Sequence, residues 1–369
     1  MKHSSYLDWY IHMPQVKYDF SSSGISRFKH NLMLGQVDLS ISYAHGNPEA
    51  SELLAQRYQV QTENVFISSE GASGQNARII RYIAEKNKRK REAIVEYPTY
   101  EPLLRNVQEH FRRVKRLERR EKEAYAIDAD ALAKKASQKT ALLALTNPHT
   151  PSGATARKGE LEEIMTIAQE YGFHVLCDEI YAEFDRDAIP TIFSIHPDLG
   201  IVTTSFTKAY GLGGLKLGLA IIKEEFVNQL HTDVLNTVGN SPNIVQLIAV
   251  ELLKNGGKTL DGYKERWANL KDETEEWLNE KGLEFFPNNV GITYWLKTPR
   301  KDTYKWMNEY AIPQYSLAAV PGTFFLFRSG YKLVKSNMIR LGLGNINPDE
   351  PNLSKALEVL EKALSTYKL

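Results

Sequence analysis

Lys208 stands where an apolar, β-branched run, "GIVTTSF" (200–206), meets a glycine-rich turn, "YGLGGLKLG" (210–218). A lysine drawn out of water there loses part of its preference for the charged form, and its pKa falls. Three roles suit such a residue: a solvated lysine at a strand end, the second member of a Ser-x-x-Lys acyl-transfer pair with Ser205, or a neutral amine that forms a Schiff base. Acyl transfer of the penicillin-binding type also requires Ser-Asp-Asn and Lys-Thr-Gly elements. The chain has neither, its Lys-Thr pairs continuing as "KTA" and "KTL". A nucleotide loop fails too, because "GGKT" (256–259) is preceded by Leu252 where the first glycine of that motif belongs.

Two further groups bear on the Schiff-base reading. "GASG" (71–74) follows the strand-like "NVFISS" and opens a helical pattern, so free N–H groups point at whatever anion lies there. Gly71, Ala72 and Ser73 are small enough for a phosphate to reach the backbone, and Ser73 adds a hydroxyl; ordinary helix capping also selects such residues. Asp178 closes the apolar run "FHVLCDE", with Tyr181 three positions on. At the carboxyl ends of neighbouring parallel strands these groups converge on one crevice. They match pyridoxal 5′-phosphate: phosphate on the helix N-terminus, ring nitrogen on Asp178, aldehyde on Lys208.

Such convergence requires a sheet. "NVFISS" (64–69), "EAIVEY" (92–97), "TALLALT" (140–146), "FHVLCDE" (173–179), "GIVTTSF" (200–206) and "LGLAII" (217–222) read as strands, with helical patterns such as "GQNARIIRYIAEKNKRK" and "KGELEEIMTIAQEYG" between them. The alternation predicts an α/β fold: a large domain with a mostly parallel sheet covered by helices on both faces, a three-layer sandwich. Beyond 255 a long charged helix leads into "GITYWLKT", "VPGTFFLF", "NMIRLGLG" and a last amphipathic helix from Asn352, the texture of a smaller α+β domain. The expected division is an N-terminal arm and part of the small domain over 1–38, a cofactor-binding domain over 39–255, and a C-terminal small domain over 256–369.

Composition sets outer bounds. Lys+Arg 46 against Asp+Glu 45 leaves a net charge of +1, so neither nucleic acid nor an acidic membrane is an expected partner. The basic clusters "EKNKRKRE" (85–92) and "FRRVKRLERREKE" (111–123) are interleaved with acids and read as solvated faces. The single Cys177 excludes an intramolecular disulfide and a cysteine zinc cluster, and no metal site is expected. No apolar run approaches the ~20 residues of a membrane helix, and the N-terminus lacks a signal-peptide core, so a cytoplasmic protein is expected.

From about Leu39 to the C-terminus the chain resembles the class I/II aminotransferases of the fold-type I pyridoxal-phosphate superfamily. "SFTKAYGLGGLKLG" is similar to the family's Schiff-base signature, with Lys208 as the lysine and Ser205 on the phosphate. "DEIY" resembles the segment whose Asp178 binds the ring nitrogen and whose Tyr181 bonds the ring oxygen. "YPTY" places Tyr100 to stack on the ring, and "EGASG" is similar to the phosphate loop. "NMIRLGLG" puts Arg340 where the family grips the substrate α-carboxylate, a task for which a planar fork of donors is suited. The resemblance also implies Asn147 at the cofactor, Gly24 at the substrate, and Tyr43 reaching the phosphate of a neighbouring subunit, hence a homodimer with shared sites.

Two positions depart from the family. In "NPHTPSG", Thr150 replaces an asparagine that donates to the ring oxygen; its hydroxyl is shorter and donates one proton, with water or His149 as substitutes. Lys216 replaces the phosphate-binding arginine, keeping the charge without the fork. The reaction implied is amino transfer between an amino acid and a 2-oxo acid, with Lys208 as general acid/base. A pyridoxal-phosphate lyase or decarboxylase shares every motif, and a non-catalytic binder would need a DNA-binding element for which the chain has no spare length. An apolar substrate pocket would draw on Tyr10, Phe20 and Ile25.

Overall fold

The computed structural model describes residues 5–26, 34–43, 45–254, 256–327, 333–346 and 352–366, with backbone alone over 256–266. Residues 1–4 and 27–33 of the N-terminal arm lie outside the described residues. In chain order the strands are β1 (Tyr18–Phe20), β2 (Val65–Ser68), β3 (Glu92–Tyr97), β4 (Arg113–Glu118), β5 (Thr140–Thr146), β6 (His174–Asp178), β7 (Gly200–Ser205), β8 (Gly218–Ile221), β9 (Phe285–Phe286), β10 (Thr293–Lys297), β11 (Leu317–Pro321) and β12 (Met338–Gly342). Two helices line the site, α1 (Ser5–His12) and α3 (Gly71–Lys86), and two others support it from behind, α2 (Pro48–Tyr58) and α4 (Glu101–His110).

A seven-stranded sheet runs β2-β8-β7-β6-β5-β3-β4. Only β8 runs against its neighbours, pairing antiparallel with both β2 and β7, and the other contacts are parallel. β2, β3, β5, β7 and β8 are buried along their whole length. That is why they read as unbroken apolar runs: a sheet covered on both faces has no solvent side to carry polar residues. The expected three-layer α/β fold is the fold observed.

β4 corrects the reading of the second basic cluster as a solvated face. It is an edge strand, parallel to β3, and its cations bind carboxylates of its neighbour. Lys115 Nζ lies 2.5 Å from Glu92 Oε2, and Arg119, just past the strand, lies 2.9 Å from Glu96 Oε2. Charged side chains along an edge blunt its tendency to pair with another chain, and they hide the strand in the sequence.

A second sheet runs β1-β11-β12-β10-β9, with β1 parallel to β11 and the rest antiparallel. β1 thus carries the N-terminal segment onto a sheet otherwise built from the last third of the chain. Local rules set the helix ends. Asn47 caps α2, its side chain accepting the Ala50 N–H at 3.2 Å, with Pro48 at the first helical position. The helix Lys158–Tyr171 stops at Gly172, whose φ of 64° is the left-handed conformation glycine adopts without strain. Among the described residues no helix is long and apolar enough to cross a membrane.

Candidate active site

The carboxyl ends of β2, β3, β5, β6 and β7 and the start of β8 lie at one edge of the large sheet, because Ser68 and Ser205 both pair with Gly218. A cavity of about 420 Å³ opens there, its wall including Gly71, Ala72, Ser73, Tyr100, Thr150, Asp178, Tyr181, Ser205, Lys208, Lys216 and Arg340. Eleven of the residues singled out by motif therefore share one space.

At one end is the start of α3. Gly71 has φ 65° and donates its N–H to the Lys216 carbonyl at 2.5 Å. Lys216 is itself left-handed at φ 55°, a conformation uncommon for lysine, and this turns its carbonyl onto Gly71. The next two N–H groups, of Ala72 and Ser73, belong to the first turn, where helices leave donors unpaired. With the Ser205 hydroxyl and the Lys216 ammonium they form a cradle whose chemistry fits a phosphate.

In the middle lies Asp178. Asn76, one turn into α3, donates to its Oδ2 at 2.7 Å, and Thr203 donates to Asn76 Oδ1 at 2.6 Å. The Ile180 N–H reaches Oδ1 at 3.2 Å. Burial pushes this carboxyl up to about 6, against the pull of the Asn76 and Ile180 donors and the charge of Lys208. A buried anion held this way fits a cationic ring nitrogen.

Lys208 shares the cavity with Asp178 and Arg340. Its Nζ donates to Ser23 Oγ at 3.2 Å. Burial draws the ammonium below the ordinary lysine range, and the like charges of Arg340 and Lys216 add to the effect. A second device fixes its loop. Glu183 accepts the Tyr58 hydroxyl, both Nε and Nη2 of Arg57 at 3.1 and 2.7 Å, and the Tyr210 hydroxyl at 3.3 Å. Since Glu183 follows Tyr181 and Tyr210 follows Lys208, this buried carboxylate joins two loops that line the cavity.

Arg340, on β12, is 2% exposed. Its Nη2 reaches the Tyr6 hydroxyl at 3.0 Å and the Ser21 carbonyl at 3.3 Å, while its Nε is buried without a partner. Buried guanidinium donors are ordinarily satisfied, so the orphan points to a carboxylate guest.

Other expected residues lie elsewhere. Asn147 turns away from the cavity: its Oδ1 accepts the Ala156 N–H at 2.9 Å and its Nδ2 faces the Pro190 carbonyl at 3.5 Å, so it braces a loop. Gly24 lies behind Lys208, where an added Cβ would come within 2.6 Å of Lys208 Cδ; its place keeps room for the lysine. Tyr43 is half-buried outside this cavity. Phe20 and Ile25 are core residues, and of the three pocket candidates only Tyr10 lines the wall. His149 does not replace the missing asparagine. Its Nε2 donates to the Pro98 carbonyl at 3.0 Å and its Nδ1 faces Ser152 Oγ at 2.7 Å.

Tyr6 and Asn76 were not singled out by motif. A polar side chain on the buried face of α3 marks Asn76, whereas Tyr6 carries no comparable signal. It reaches Arg340 because Glu101 docks α1: the Ser5 and Tyr6 N–H groups donate to the two Glu101 oxygens at 3.1 and 2.7 Å.

A family described as aminotransferase class I and II matches residues 26–360. An aspartate aminotransferase of Pyrococcus horikoshii is 23% identical over 349 residues, 88% of this chain and 82% of that protein. Histidinol-phosphate aminotransferase 2 of Carboxydothermus hydrogenoformans is 29% identical over 205 residues, 52% of this chain and about half, 51%, of its own length. Among solved structures, a PLP-dependent aminotransferase from Streptococcus suis superposes with a TM-score of 0.83 at 21% identity, covering 100% of both chains. A Thermus thermophilus aspartate aminotransferase double mutant gives 0.80 at 19% identity, covering 99% of this chain and 97% of that one.

Proposed function

The chain belongs to the class I and II aminotransferases, a pyridoxal-phosphate-dependent family, and from that premise we propose that its cavity moves an amino group between an L-amino acid and a 2-oxo acid. The observation that carries this is the meeting of Lys208, Asp178 and the incompletely bonded Arg340 in one cavity. When bound, pyridoxal 5′-phosphate supplies an aldehyde that takes an amine and a protonated ring that accepts the electron pair of a broken Cα–H bond. Gly71, Ala72, Ser73, Ser205 and Lys216 hold its phosphate, Asp178 pairs with its ring nitrogen, and Tyr100, Thr150 and Tyr181 border its ring.

Arg340 orients the amino acid by its α-carboxylate. Lys208 Nζ, kept below the ordinary lysine range by burial and two neighbouring cations, is the base that takes the Cα proton. Glu183 steadies the Lys208 loop through Tyr210, and α1 forms one side of the cavity. The assembly proposed is a homodimer in the cytoplasm, with Tyr43 offered to the neighbouring copy.

Transfer is tested by incubating the reconstituted enzyme with a panel of 15N-labelled amino acids and unlabelled 2-oxo acids. Label in the new amino acid supports the reading. Labelled ammonia, or stoichiometric CO2, without label transfer replaces it with elimination or decarboxylation.

Asp178 supplies a pH dependence. Its folded value is raised from 3.8 to about 6, so its proton stabilises the cofactor-free fold fully below about 3.8, and that contribution is lost as pH rises through about 6. Pairing with a cationic ring requires the opposite, ionised form. The affinity advantage of wild type over Asp178→Asn for pyridoxal 5′-phosphate should therefore be full above about pH 6 and shrink by about tenfold per unit below it. Fluorescence titration of the apoproteins between pH 5 and 8 measures this ratio; a flat profile contradicts it.

A further inference from the structure

Residues 21–25, which follow β1, touch both groups that handle the substrate. The Ser21 carbonyl accepts Arg340 Nη2 at 3.3 Å, and the Ile25 N–H donates to the Lys208 carbonyl at 2.8 Å. At Gly24 an added Cβ would come within 2.9 Å of Lys208 Cα, so the two backbones lie against each other. Ser23, 3% exposed, lines the cavity, and its Oγ accepts Lys208 Nζ at 3.2 Å while its hydroxyl also meets that of Tyr181. The segment is pinned on its far side: the Gly344 N–H donates to the Ser22 carbonyl at 3.1 Å, and the Ser26 N–H donates to the Gly344 carbonyl at 3.0 Å.

The Ser23 contact bears on the proton. When the Cα–H bond breaks, an Nζ–H bond forms, and the electron pair stays at Cα for the cofactor ring to accept. Nζ then carries a charge in a buried place. Burial opposes that charge most, joined by Arg340 on β12 and by Lys216, while Tyr6 on α1 and Asp178 on β6 favour it. Among the described residues, Ser23 Oγ is the acceptor hydrogen-bonded to Nζ. A hydrogen bond to the charged form favours that form, and one with an ionised donor is stronger than a neutral one. A hydroxyl has two acceptor lone pairs and one proton, so Ser23 can hold Nζ and Tyr181 at once.

We propose that Ser23 is a positioning residue for the proton transfer, its oxygen fixing Lys208 Nζ in the cavity and bonding the ammonium that forms when Nζ takes the Cα proton. The inference rests on the amino-transfer reading. Backbone bonds set where the segment lies, and the Ser23 hydroxyl adds the direction of an amine whose flexible four-carbon stem borders open space.

The test is Ser23→Ala with two readouts. In the reconstituted enzyme kcat should fall about 10- to 100-fold, the cost of a misplaced catalytic group, with KM for the donor within about threefold of wild type. In the cofactor-free protein, competitive acetylation by acetic anhydride between about pH 6 and 10, read at Lys208 by peptide mass spectrometry, gives the midpoint of its amine. That midpoint should lie lower in Ser23→Ala, because the ammonium has lost an acceptor. A loop loosened by the substitution would admit water and move the midpoint up instead. A kcat within about threefold of wild type, or an unchanged or raised midpoint, overturns the proposal. Absence of 15N transfer by the wild type overturns the amino-transfer reading alone. The acetylation midpoint needs no turnover and then still decides for or against the hold of Ser23 on Nζ.

Discussion

A Lys208→Ala variant is expected to lose turnover by about 10⁴-fold or more while keeping its fold. General acid/base catalysis by a positioned group contributes about 10²–10⁴-fold on its own, and here the same amine also holds the cofactor. The fold should survive because Lys208 Nζ makes one side-chain hydrogen bond, to Ser23 at 3.2 Å, and its stem borders an open cavity. Arginine is not a substitute: a guanidinium stays protonated and cannot serve as the amine. The measurement is kcat with the preferred donor, alongside the thermal midpoint. A midpoint within a few degrees of wild type and absent turnover is the expected pair. Turnover within tenfold of wild type would remove Lys208 from the mechanism.

Arg340→Lys should cost less and in a different parameter. The guanidinium is positioned before substrate arrives, by the Tyr6 hydroxyl and the Ser21 carbonyl, and its ring neighbours Tyr6 and Phe325 lie 5.7 and 5.3 Å from its central carbon. Lysine restores one charge but neither the paired donors nor the planar face. Weakening a buried, hydrogen-bonded charge pair costs about 2–5 kcal/mol, so with charge retained a loss of about 100-fold in kcat/KM is expected, mostly through KM. An amine substrate without a carboxylate should react equally well with both proteins. A loss below about threefold for carboxylate substrates would place the α-carboxylate elsewhere.

Glu183 and Glu101 show a different use of buried carboxylates. Neither reaches the cavity's reacting end, yet one joins the Tyr181 and Lys208 loops and the other seats α1. Both sit in ordinary-looking stretches, "YAEF" and "YEPL", directly after residues that motif reading did find. Glu101 meets α1 across 95 and 96 positions, and Glu183 meets Tyr58 and Tyr210 across 125 and 27, and nothing in local spacing announces such pairings.

The cofactor end of the site was legible in the sequence because each part is short and local. A glycine-led helix start, an aspartate closing an apolar strand and a lysine before a glycine turn each carry their chemistry within a few residues. Strand-helix alternation then dictates that such strand ends share one edge. The same locality leaves out what surrounds each residue. Asn147 and Gly24 fall in recognisable segments, but the side chain of the first faces a neighbouring loop and the second works by the volume it leaves empty. β4 was hidden because an edge strand need not be apolar. Tyr6 and the placing of α1, of which the sequence offered Tyr10 alone, were decided by tertiary structure. They depend on an eight-residue helix docking on α4 and meeting Arg340 across 334 positions of chain, and such contacts follow from the packing of the whole molecule, which no local pattern encodes.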